Sequence, residues 1–241
     1  MTEAIGPTSV LRFWFEEIEP AQWWKSDPAF DRLVRERFAA VHGAAARAEL
    51  GAWRARPAGR LAEVIVLDQL SRNMYRGTPL AFAFDAVALV LAQEAVAGRH
   101  DLELPPGQRL FLYMPYMHSE SAVIHEAAVG LFESLGLPSN LDFELRHKAT
   151  IDRFGRCPHR DSILGRPSTD EEVEFLKMPG SSFETSWPAS RWRAMMSSPR
   201  RATLRRDSGS LRRDRTAAWR TRPPRWLPVD IRGIPTRARR S

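Results

Sequence analysis

Apolar residues recur at three- and four-residue intervals through much of the chain, the period of amphipathic helices. Val10–Ile18 reads as a short helix crowded with aromatic rings, and Trp23 and Trp24 follow as core anchors after a Glu-Pro turn. Asp27-Pro28 supplies an N-cap and a first-turn proline for a long helix. Its inward stripe is Phe30, Leu33, Val34, Phe38, Val41 and Ala45, while Arg32, Arg35 and Glu36 mark the outer face. Pro57 starts the next helix, which ends near Gly77. Thr78-Pro79 predicts another, apolar around most of its circumference as far as Gly98 and so expected in the middle of the domain. Pro105-Pro106 opens a helix with Leu110, Phe111 and Met114 inward and a last turn distorted by Pro115. Ser119 reads as the cap of a helix from Glu120 to Leu135, closed by Gly136. The stripe Phe143, His147, Ile151, Phe154 marks a helix over Asn140–Phe154, and Ser168 with Glu171 forms a capping-box pattern for a short helix to about Met178. No stretch alternates with period two for the length of a strand, and no Asn-Gly or Asp-Gly turn occurs. The pattern predicts an all-α fold of antiparallel helical hairpins, a solenoid or an irregular bundle, with starts too unevenly spaced for a clean repeat.

One stretch breaks the hydrophobic rule. In Leu61–Gly77 the stripe Leu61, Val64, Ile65 continues into Asp68 and Arg72, with Gln69 and Asn73 in the adjacent row. Charged and amide groups on a buried face are costly unless they pair, so Asp68 and Arg72 are expected to bind each other at the hub of a polar network. Three histidines fall near it. His118 follows the inward stripe ending at Met114, His147 lies within its own stripe, and His159 sits between Pro158 and Arg160 at a helix start. Glu120, Arg153, Arg156 and Arg160 complete the candidate cluster.

Composition divides the chain in two. The formal net charge is +7, yet residues 1–186 carry 20 basic and 26 acidic side chains, whereas residues 187–241 carry 16 Arg, no Lys and three Asp. The helical domain is expected over 8–183. The extension 184–241, low in apolar residues and high in charge, is expected to be disordered and dispensable. Two readings of it stand: an arginine-rich arm for nucleic acid, with Trp192, Trp219 and Trp226 to stack on bases, or a frameshift or read-through product. A single cysteine, Cys157, excludes an intramolecular disulfide and a cysteine-rich zinc site. No signal-peptide pattern opens the chain and no apolar run approaches a bilayer span, so a soluble cytoplasmic protein with no membrane partner is expected. A metal is not expected, since no His-x-x-x-His or Glu-x-x-His pair is read as putting two ligands on one helix face. Nucleophile elbows, dinucleotide fingerprints and phosphate loops are absent, so no cofactor is expected.

The stretches LRFWFEE, DQLSRNMYRGTPLAFAFD, RLFLYMPYMHSE and RFGRCPHRDSILGRPSTDEEVEFL, followed by PGSSF, resemble the bacterial "domain of unknown function 924" family over residues 10 to 183. The resemblance implies a tetratricopeptide-like superhelical all-α fold and brings no established activity. Cys157 stands where an aromatic residue is usual in that family, Asp161 where asparagine is usual, and Ala122–His125 departs from the acidic and amide residues usual after HSE. Family members end soon after PGSSF, so the basic extension lies beyond the usual terminus. The function expected is the binding of a small anionic ligand or a peptide in a polar groove by Asp68, Arg72, Asn73, His118, His147, Arg156, His159 and Arg160. The alternative is an enzyme using acid–base chemistry on a small anionic substrate, with His118, His159 and Glu120 as catalytic candidates and Arg72 and Arg160 as clamps. A third reading makes the same groups purely structural ion pairs.

Overall fold

The computed structural model describes residues 5–181 and 183. The chain runs through α1 (Pro7–Arg12), α2 (Pro28–Ala46), α3 (Pro57–Ile65), α4 (Ser71–Met74), α5 (Asp85–Ala97), α6 (Pro106–Met117), α7 (Ala122–Leu135), α8 (Pro138–Phe154), α9 (Asp161–Leu164) and α10 (Asp170–Leu176), with short 3-10 and π turns between. No strand occurs among the described residues. Proline at the first turn sets the start of α1, α2, α3, α6 and α8, where its missing N–H costs no helical bond. The Asp27 carboxylate caps α2, accepting from the amides of Ala29 at 3.0 Å and Phe30 at 3.3 Å. Gly136 and Gly155 end α7 and α8 in the left-handed conformation.

The centre of the core is α3. Leu61, Ala62, Val64 and Ile65 are wholly buried, and α3 packs against α1, α5 and α6. Two further hairpins, α6–α7 and α7–α8, extend the bundle. Trp14, Trp23 and Phe111 pack as a cluster of rings, Phe111 edge-on to both indoles.

Several expectations are corrected. The helix after Thr78 begins at Asp85, because Pro79–Ala81 forms only a 3-10 turn and Phe82 to Phe84 break the run. Nor does α5 occupy the middle: Ala88, Leu91, Ala92 and Ala95 pack inward, leaving Val87 at 43% and Val90 at 55% exposure. Small alanines bring α5 close to α3 and α6 and leave its valines at the surface. By length and mean hydropathy (19 residues, 1.8) Pro79–Ala97 is apolar enough to cross a bilayer, contrary to the sequence reading. In this fold it is broken by the 82–84 turn, and Asp85 is held by arginines from two other segments. The helix after Ser119 is capped at Ser121, which leaves Glu120 in the loop. The capping box is one residue later than its sequence signature, with Thr169 as cap and Glu172 as its reciprocal partner. Helix α6 continues through Pro115 to Met117. The Arg-rich extension, its expected disorder and Trp192, Trp219 and Trp226 lie outside the described residues.

Candidate functional site

Between α3 and α4 the helix widens into a π turn, Val66–Leu70, that the apolar period does not foretell. Such turns rotate the residues that follow relative to those before, and they concentrate at functional sites. Here the turn lodges Asp68 in the interior with no exposed surface. Three side chains satisfy it: His118 Nδ1–H donates to Oδ1 at 2.7 Å, Arg72 Nη1 to Oδ1 at 3.1 Å, and Gln69 Nε2 to Oδ2 at 2.5 Å. The expected Asp68–Arg72 pair is therefore present, and His118 joins it. Burial alone would raise the Asp68 pKa, but Arg72 and His118 outweigh it and hold the carboxyl well below its usual range.

Arg72 also grips Asp85 with both terminal nitrogens, at 3.0 and 2.9 Å. Arg160 donates to Asp85 at 3.3 Å and to the His118 carbonyl at 3.0 Å, tying the segment after α8 to the end of α6. Both guanidiniums lie over the Phe82 ring, 5.7 and 4.7 Å from its centroid. On the other side Asn73 Nδ2 donates to Asp31 at 2.9 Å, and Arg76 binds the same carboxylate in bidentate fashion.

These groups back a cavity of about 280 Å³. Its wall takes Trp23 and Trp24 from the turn before α2, Gln69, Arg72 and Asn73 from the π turn and α4, and Arg76 and Phe82 beyond them. Met114, Met117 and His118 come from the end of α6, Phe143 and His147 from α8, and His159, Arg160, Ile163 and Phe183 from the C-terminal segments. The Phe183 ring stacks on His147 at 3.8 Å and meets His159 edge-on at 5.8 Å. The three histidines, which span 42 positions of sequence, thus share one cavity. Burial first, then the arginine field, keeps the His118 and His159 imidazoles easy to deprotonate, with His159 lowered to about 3; burial sets His147 well below its usual range as well.

Three sequence candidates fall elsewhere, among them Arg153, which pairs with Glu171 at 2.7 Å. Arg156 binds Glu172 with two 2.7 Å bonds and donates to the Pro167 carbonyl, fastening α10. Glu120 accepts twice from Arg166, at 2.6 and 2.9 Å, and from the Cys157 amide at 2.8 Å. With Asp161, which takes Arg166 at 2.8 Å, they form a second network that lines no part of the cavity. Glu120 is lost to the site because the α7 cap sits at Ser121 and not at Ser119, so the loop turns it toward Arg166. Asp68 lies behind the wall, not in it. Gln69 was expected in the polar network but not as a ligand-binding residue, and Arg76 and Phe82 were not singled out, although all three sit inside the DQLSRNMYRGTPLAFAFD block; Asp85, whose arginine partners are far apart in sequence, was not singled out either. Contrary to the expectation, a Glu-x-x-His spacing does occur on α8, at Glu144 and His147, but Glu144 is buried against His125 at 2.7 Å and lines no part of the cavity. Among the described residues no group of three or more His, Cys, Asp or Glu could hold a metal.

The blocks that furnish this wall coincide with a family match. A family model described as "Bacterial protein of unknown function (DUF924)" matches residues 10–180. The chain belongs to the DUF924 family. The DUF924 match takes in every wall residue except Phe183, which lies just beyond it. A solved structure titled as a protein of unknown function, ATU0120 from Agrobacterium tumefaciens, is 36% identical with a TM-score of 0.68, over 71% of this chain and 96% of that one. No curated protein matches the DUF924 chain.

Proposed function

We propose that this DUF924 protein binds a small organic anion in the cavity between the π turn, α6, α8 and the 158–164 segment. One observation carries the reading: the charged side chains that reach the wall are arginines, with their carboxylate partners set behind them. The wall includes Arg72, Arg76 and Arg160 but no carboxylate, since Asp31, Asp68 and Asp85 all stand behind it. The rings of Trp23, Phe143 and Phe183 offer faces for the ligand's non-polar body.

The volume suits a small molecule better than an extended peptide. On this reading the tetratricopeptide-like stacking of hairpins frames a closed-in cavity, and the ligand is a cytoplasmic metabolite. The enzyme alternative loses its acid, because His159 at about 3 is unprotonated near neutrality. What favours it in part is the Asp68–His118 pair, the arrangement of an oriented general base.

Thermal shift of the full chain with benzoate and with inorganic phosphate tests the proposal, because a ligand confined to the folded state raises the melting temperature. At least one should raise it in a saturable way, and Arg160→Gln should weaken that effect about tenfold or more. No shift with either anion, or equal shifts in the variant, would count against it.

A further inference from the structure

The hydrogen-bonding polarity of the cavity points to a second group on the ligand. Four wall side chains each turn a donor away from the cavity. His118 Nδ1–H goes to Asp68, His147 Nδ1–H to the Phe143 carbonyl at 2.9 Å, Gln69 Nε2 to Asp68 and Asn73 Nδ2 to Asp31. Each partner is a carboxylate or carbonyl oxygen, which only accepts, so the proton or amide NH₂ must lie on that side. What these side chains leave for the cavity includes four acceptors, the bare Nε2 atoms of neutral His118 and His147, Gln69 Oε1 and Asn73 Oδ1, beside the second N–H of each amide. None of the four has a protein partner among the described residues, and none is among the sealed polar atoms.

We infer that the ligand is a small oxyanion that also carries hydroxyl groups, a sugar acid or sugar phosphate in chemical class, its anionic end toward Arg72 and Arg160 and its hydroxyls toward these four acceptors. The inference rests on the anion-binding reading above. A hydroxyl fits better than an ammonium, because the arginines that disfavour imidazolium here would disfavour any other cation at the same place. Aromatic faces such as Trp23 and Phe143 suit the C–H face of a polyol ring.

Calorimetry of the full chain with two matched pairs tests this: glucose 6-phosphate against inorganic phosphate, and gluconate against hexanoate. At least one hydroxylated member should bind tenfold or more tighter than its partner, because sites built to hydrogen-bond a hydroxyl discriminate strongly against its absence. Gln69→Met with His147→Phe should erase that advantage while leaving phosphate or hexanoate binding in place. Should the double variant not fold, nitrogen NMR of the unsubstituted protein serves instead. Free His118 and His147 should show a protonated Nδ1 and a bare Nε2, and the Nε2 signal should move with the hydroxylated member alone. Phosphate or hexanoate binding with no gain from hydroxyls would overturn this inference and leave the anion site standing. Failure of all four probes would overturn both.

Discussion

Asp68 shows how one buried residue can set the chemistry of its neighbours. It is ionised inside the protein because Arg72, His118 and Gln69 all donate to it, and in accepting from them it fixes which atoms they turn toward the cavity. Asp68→Ala should therefore cost roughly 3–5 kcal/mol, as removal of one member of a buried pair does, because Arg72 keeps only Asp85 and the main-chain carbonyl of residue 68, and His118 loses its Nδ1 acceptor. Urea unfolding checks it; a loss below about 1 kcal/mol would mean the network relaxes around the gap. A second buried contact makes the same point about protons. His125 Nε2 lies 2.9 Å from the Ser119 carbonyl and Nδ1 lies 2.7 Å from Glu144, with both side chains sealed. The carbonyl only accepts, so Nε2 carries a proton, and a second proton must lie between Nδ1 and the carboxylate. Burial raises the Glu144 pKa accordingly.

At the scale of elements, the sequence was most legible where proline and glycine punctuate it. Asp27-Pro28, Pro57, Pro105-Pro106 and Gly136 marked boundaries because their backbone constraints are local. The π turn at Val66–Leu70 was not legible, since no residue type demands it and it follows from how α3 and α4 pack against α2 and α5. The burial of α5 was misread for a related reason: composition measures hydrophobicity, but which face is covered depends on neighbours. The site was half legible. The buried charges of the 61–77 stretch exposed Asp68 and Arg72, whereas Glu120 and Arg156 could be removed from the list only by partners 46 and 16 residues away. One element contact invites a direct test. A Cβ on Gly59 in α3 would stand 2.0 Å from the Trp53 carbonyl oxygen. Gly59→Ala should cost ~3 kcal/mol or more, above ordinary overpacking, since the obstacle is backbone. The same denaturation experiment reads it out, and a variant as stable as the parent would show that the 51–55 turn moves freely off α3.

For the whole molecule, the lowered histidines predict an acid-sensitive fold. An unfolded histidine takes up a proton near 6.5, while folded His159 resists to about 3 and folded His118, His147 and His42 also resist below their usual range. Between those limits the unfolded state binds more protons, so stability rises with pH there and is lost as pH falls from 6.5. Asp68 and Glu172, both held below the usual carboxylate range, add their losses only further down. Acid loss should thus begin well above the carboxylate range. With each pH unit worth at most ~1.4 kcal/mol per group, less for the partly exposed His159, the melting temperature at pH 5 should lie at least ~4 °C below that at pH 7. His159→Phe should flatten that decline. A bound anion should flatten it too, because negative charge beside the imidazoles raises their pKa values toward the unfolded value. Melting curves across pH 7 to 5, with and without benzoate, check all three statements. A flat profile for the unsubstituted protein would mean that its histidines protonate without cost, and that the cavity admits water freely.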